Sequence, residues 1–231
     1  MSTKPPAPAI PRSLFVLALF YGGMVCIAGV LGNKQVGLGP LSGLGELLGQ
    51  GPLAVEAGIF AFLLLVVTSS AVAELFGRST ANRLVILGFI PLIVSILLAL
   101  LVLALPAAHE MQPERLAAFD TIMGSTPRIW IGGIIAYGTS QLLNVTIFTA
   151  LKRGEGKLLW LRAGVASVLS QVVDTLIFIT IAFYGVFPIA DLLVGQMIAK
   201  VVLSIVLVPP LIYVVVALAR RLDGPGEAAR A

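Results

Sequence analysis

Two short stretches hold the residues of this chain best suited to chemistry. Ser140-Gln141-x-x-Asn144-x-x-Ile147-Phe148 and Ser170-Gln171-x-x-Asp174-x-x-Ile177-Phe178 repeat at an offset of 30 residues. Positions i, i+3 and i+7 share one helix face. Gln141, Asn144 and Phe148 therefore line up, as do Gln171, Asp174 and Phe178, with Tyr137 and Ser167 one turn earlier. An amide donates and accepts at once, and a carboxylate accepts from two donors side by side. Such a set can hold a polar substrate or an ion. Phe148 and Phe178 either pack the core or cover a ring face.

Composition fixes the solvent these helices sit in. Of 231 residues, 58% are hydrophobic and 11% charged, and mean hydropathy is +1.05. A soluble domain carries about a quarter charged residues, so this chain lacks the charge to cover a water-facing surface. Six stretches reach the roughly 20 apolar residues a membrane crossing needs: about 14–32, 53–76, 83–105, 128–151, 163–186 and 189–219. The apolar runs are too long for strands and do not alternate. The fold class expected is an all-α integral membrane protein of six transmembrane helices. Residues 1–13, with four prolines, and the tail 220–231 are expected as cytoplasmic ends, disordered at the N-terminus and after Asp223. The first apolar run exceeds a signal-peptide core, and no small-x-small site follows it, so cleavage is not expected. Residues 33–52 form a Gly-rich outer loop, and 107–127 carry an interfacial helix with Leu116, Phe119 and Met123 on one stripe.

Several function classes drop out. One cysteine, Cys26, and one histidine, His109, leave no disulfide framework and too few ligands for a zinc site. No cofactor or metal is expected. An intramembrane hydrolase has no nucleophile–base pair to use. A nucleic-acid reader would need a basic face with interleaved aromatics, and none is present.

Consecutive crossings run antiparallel, so the repeated motif enters the bilayer from both sides. That arrangement suggests an inverted repeat of three plus three helices, a transporter architecture. At 1.5 Å per residue, Gln141, Asn144, Gln171 and Asp174 fall roughly 12–18 Å from their helix ends and can meet near the midplane. A carboxylate there costs about 2.5–3.5 kcal/mol even on the lenient insertion scale. Helix-packing hydrogen bonds return less, so Asp174 is expected to serve a substrate or ion. Ser140 and Ser170 suit helix packing. Lys200 either pairs with Asp174 or snorkels outward. Glu74 either pairs with Arg78 at i+4 or faces the pathway.

The chain resembles the queuosine precursor transporter family, which belongs with the vitamin uptake transporters. The resemblance rests on Asn33-Lys34, Ala57-Gly58, Glu74-x-x-Gly77, Pro127-Arg128, Ala136-Tyr137-x-x-Ser140-Gln141, Leu159-Trp160-Leu161-Arg162, Ser170-Gln171-x-x-Asp174-Thr175 with Phe178, and Lys200. It departs from the family pattern at Ser70 and Asn144, where acids are usual. The resemblance implies an inner-membrane secondary transporter that imports a 7-deazaguanine base or nucleoside of the preQ0, preQ1 or queuine class. Asp174, Gln171, Gln141, Asn144, Phe148, Phe178, Lys200 and Glu74 are then the substrate-binding candidates. Partners are the substrate and the lipid bilayer, without nucleic acid; a homodimer is compatible with the sequence. The alternative is a substrate-binding subunit of an energy-coupling-factor vitamin transporter, which would work only beside a scaffold and two ATPases.

Lysine and arginine set the orientation. Eleven lie on one side (Lys4, Arg12, Arg78, Arg83, Lys152, Arg153, Lys157, Arg162, Arg220, Arg221 and Arg230) and three on the other (Lys34, Arg115 and Arg128). By the positive-inside rule both termini are cytoplasmic. A reporter fused after Arg221 should behave as cytoplasmic, and an external signal there would reverse the orientation.

Overall fold

The computed structural model describes residues 10–31, 34–37, 39–43, 46, 54–124, 127–151, 158–185 and 190–227. Lys4, Lys152, Arg153, Lys157, Arg230 and much of the Gly-rich loop lie outside the described residues. Among those described, the helices are α1 (Arg12–Leu31), α2 (Gly58–Leu87), α3 (Phe89–Ala104), α4 (Pro113–Met123), α5 (Pro127–Ala150), α6 (Leu159–Phe183) and α7 (Ala190–Glu227). Two strands, β1 (Gln35–Gly37) and β2 (Ala54–Glu56), pair antiparallel with Val36 opposite Val55.

The all-α membrane architecture holds, with local corrections. Five stretches are long and apolar enough to cross a bilayer, and one of them, Gly58–Ala104, runs 47 residues. Three-residue strands are too short for an alternating pattern to register, so β1 and β2 were not anticipated. They start the second apolar stretch at Gly58 rather than at 53. Ala57 N–H closes that ribbon onto the Lys34 carbonyl at 2.7 Å. The first helix begins at Arg12, inside the segment expected to be disordered, because Asp223 caps it. The Ser13 N–H and hydroxyl donate to the Asp223 carboxylate at 2.8 and 2.5 Å. The last helix correspondingly runs on to Glu227 instead of fraying after Asp223. The bundle thus has a termini end and a ribbon end.

The arrangement follows from which helices are apolar all round and which are not. A helix apolar on every face is either at the centre or in lipid. In α2 every residue from Leu65 to Ala73 is buried, so α2 is the axis of the bundle, against α1, α5 and α7. In contrast α3 buries no residue; Ile90, Ile93, Val94, Leu97 and Leu98 all face outward. The helix expected within 107–127 is α4, opened by Pro113 at its first turn, where a missing N–H costs nothing. Its Leu116, Phe119 and Met123 are the half-buried stripe on an otherwise exposed helix.

A single residue divides α2 into two helical arms. Gly77 has φ 84° and ψ 166°, outside helical space. Side chains with a Cβ rarely adopt such a conformation. Farther along, α3 is pinned to the bundle by aromatic rings set against glycines. A Cβ on Gly88 would lie 2.6 Å from Tyr21 Cε1, and one on Gly138 would lie 2.9 Å from Phe89 Cζ. Gly88→Ala and Gly138→Ala should each destabilise the folded protein by about 1–3 kcal/mol, the usual cost of overpacking. Gly133→Ala, with open space around it, should be neutral in the same thermal unfolding measurement.

Candidate functional site

The two repeats meet. Ser140 on α5 donates to Asp174 Oδ1 on α6 at 3.1 Å, while Lys200 Nζ on α7 donates to Oδ2 at 3.2 Å. The carboxylate side chain is only 7% exposed and the lysine's 14%. Of the two readings of Lys200, pairing with Asp174 is the one observed. A buried ion pair repays its desolvation only with good geometry and further hydrogen bonds, and Ser140 supplies one. Two lone-pair directions of the carboxylate then remain for other donors.

The α5 half of the repeat turns toward α2 instead. Gln141 Oε1 accepts from Ser69 Oγ at 3.1 Å, and Asn144 Nδ2 donates to Ser70 Oγ at 3.0 Å. Gln141, Asn144 and Gln171 are fully buried. Yet Gln141 Nε2, Asn144 Oδ1 and both amide atoms of Gln171 have no hydrogen-bond partner, and neither do Ser167 Oγ and Ser204 Oγ. Leaving a buried donor or acceptor unpaired costs about 1–3 kcal/mol each. Native interiors keep few such groups, and here a row of them stands on facing helices with bonding capacity left over. Ser170 differs from Ser140: its hydroxyl returns to its own helix, at the Ser167 carbonyl, 2.9 Å away.

Phe148 and Glu74 belong to a second cluster, nearer the termini end. Arg162 Nη2 donates to Glu74 Oε2 at 2.5 Å, and the guanidinium carbon stands 4.7 Å over the Phe148 ring. Arg162 precedes Asp174 by three helical turns, roughly 18 Å. One guanidinium therefore ties α2, α5 and α6 together, and Phe148 serves it as a cation–π face. Phe178 is half-buried on α6, one turn beyond Asp174. Of the eight sequence candidates, Asp174, Lys200, Gln141, Asn144 and Gln171 lie along one polar seam. Glu74 and Phe148 close its termini end.

Sequence reasoning missed several participants. Arg162 stands in the sequence as a loop charge and a motif residue but not as a site candidate, because its partner lies 88 residues away. Ser69 and Ser70 were visible as polar residues in an apolar span, the signal that would have flagged them. Tyr137 and Tyr21 hydrogen-bond each other at the ribbon-side margin of the seam. Phe62 and Phe89 stack edge-on to Tyr137 at 5.4 and 5.5 Å between ring centroids. Among the described residues no three His, Cys, Asp or Glu gather as a metal cage. The seam can bind a flat polar molecule by its edge.

Residues 56–215 match the family model described as "putative vitamin uptake transporter", and the chain belongs to that family. A "probable queuosine precursor transporter" of Bacillus subtilis (strain 168) is 35% identical over 118 residues, covering 50% of this chain and 50% of that protein. The chain thus spans about half the length of that relative in the matched region. No solved structure matches.

The Asp174–Lys200 pair makes a stability prediction that binding does not confound. Removing one partner strands a buried charge, at a cost of about 3 kcal/mol. Asp174→Asn and Lys200→Met should each lower thermal stability in detergent by about that amount. The double variant should recover most of it. If the double variant is as unstable as the two losses added, the pair does not couple.

Proposed function

We propose that this transporter imports a 7-deazaguanine, a precursor or salvaged form of queuosine, across the cytoplasmic membrane. The observation that carries the reading is the row of buried, incompletely bonded amides beside Asp174. A guanine-like edge presents a ring N–H and an exocyclic amine next to a carbonyl. Asp174 accepts from both donors with the lone pairs that Ser140 and Lys200 leave over. Gln171 and Gln141 donate to the carbonyl, and Asn144 Oδ1 accepts from a remaining ring N–H. Extruded nucleobases are read in this way, by edge hydrogen bonds and ring stacking. The printed name of the Bacillus subtilis relative agrees with this substrate class.

The membrane arrangement in this reading is six crossings with both termini cytoplasmic. Gly77 splits the 47-residue stretch, which as one helix would measure roughly 70 Å, more than twice the hydrocarbon thickness. The Ser13–Asp223 bonds hold the two termini at one end, which supports an even number of crossings. Ser140 lies near Asp174 while Phe148 lies near Arg162, so α5 and α6 run antiparallel. Their shared motif supports a three-plus-three inverted repeat.

Purified protein, reconstituted alone into vesicles, should take up a labelled 7-deazaguanine. Binding without uptake in the absence of other proteins would instead indicate the substrate-binding subunit of an energy-coupling-factor transporter. Asp174→Asn should weaken binding roughly ten- to a hundred-fold, since a hydrogen bond to a charged group contributes about 1.5–3 kcal/mol. Gln171→Ala and Gln141→Ala should cost less, at about 0.5–1.5 kcal/mol per neutral bond. Ser140→Ala should exceed Ser170→Ala, because only Ser140 holds the carboxylate. Unchanged binding by Asp174→Asn would remove the carboxylate from the edge-reading role.

A further inference from the structure

The charges inside the bundle cancel. Between its two ends, among the described residues, the bundle encloses two acids and two bases, joined as Asp174–Lys200 at 3.2 Å and Glu74–Arg162 at 2.5 Å. Everything else polar along the seam is neutral: Ser69, Ser70, Gln141, Asn144, Ser167 and Gln171. Where α2 and α5 face each other, a carboxamide bonds a hydroxyl, Asn144 Nδ2 to Ser70 Oγ at 3.0 Å. Neither side of that contact offers an anion.

This balance has a consequence for the substrate. Resting on the deazaguanine reading above, we infer that the site selects a 7-deazaguanine whose C7 substituent is uncharged, such as a nitrile or carboxamide. It rejects those bearing an amine that is protonated at neutral pH. A ligand ammonium entering the seam has two options. It can remain unpaired among amides and hydroxyls. It can also displace Lys200 from Asp174 and leave the lysine unpaired instead. Either way one buried cation has no counter-charge, a situation that low-dielectric interiors penalise heavily. A neutral substituent meets no such penalty. The unpaired Gln171 amide, with a donor and an acceptor both free of partners, suits a nitrile nitrogen or a carboxamide. The residues that set the preference are Lys200, which neutralises Asp174, and the Ser70–Asn144 contact, which withholds a second acid.

The test compares two ligands of nearly equal size on the purified, reconstituted full chain: 7-cyano-7-deazaguanine, which is neutral, and 7-aminomethyl-7-deazaguanine, which is cationic at neutral pH. The nitrile should bind at least ~100-fold more tightly, in line with the cost of stranding a buried charge. Equal binding, or tighter binding of the amine, overturns the inference and leaves the deazaguanine reading intact. Failure of both ligands to bind overturns that reading itself and this inference with it. Two variants at separate positions probe the cause. Lys200→Met leaves Asp174 without its cation, and Asn144→Asp adds a carboxylate opposite Ser70. Each should raise amine affinity relative to nitrile affinity by ~10-fold or more, the converse of the same charge penalty. A merely destabilised site would weaken both ligands together without moving their ratio. If the variants that fold leave that ratio unchanged, the charge balance does not set specificity.

Discussion

Hydrocarbon supplies no hydrogen bonds and no counter-charges, and most of this structure follows from that one constraint. Asp174 has to be met by groups the protein itself provides. Meeting it requires Ser140 from α5 and Lys200 from α7, so three helices are held in register by one carboxylate. Glu74 imposes the same demand lower down, and Arg162 meets it by bridging α2 and α6 over the Phe148 ring. Between the two ion pairs the demand is not fully met, and it is there that the unpaired amides collect. Stability and binding thus use the same currency in this molecule. The polar groups that lock the helices together stop short of satisfying one another at the place where a substrate would complete the set.

The repeat shows how one motif can be put to two uses. Asn144 and Asp174 occupy equivalent positions, yet the first turns to the hydroxyls of α2 and the second to the ammonium of α7. Changing one amide to one acid is enough to change the kind of neighbour each helix requires. The seam that results has a neutral flank toward α2 and an ionic flank toward α7.

Much of this was legible in the sequence, for physical reasons that differ by residue. Membrane helices announce themselves by length and hydropathy, so the apolar stretches were plain. A charge at midspan must find a partner, and so Asp174 and Lys200 pointed to each other before any coordinates. Glu74 pointed to Arg78, four residues on, because local spacing is the only distance a sequence displays; Arg162 is close only after folding. The strands Gln35–Gly37 and Ala54–Glu56 are too short to carry a period. The continuation of α7 to Glu227 depends on Ser13 bonding Asp223 across the length of the chain, a contact with no local signature.

The turn at Gly77 joins two very different environments without slack. On one side is the buried run from Leu65 to Ala73 that carries Ser69 and Ser70; on the other is the arm 78–87, which still buries Ala81 and Val85, and beyond Gly88 comes α3, which buries no residue. A helix bathed in lipid takes its tilt partly from the thickness of the hydrocarbon around it. No loop lies between the two arms of α2, so a change in the angle between them falls on the backbone of one residue, three positions from Glu74.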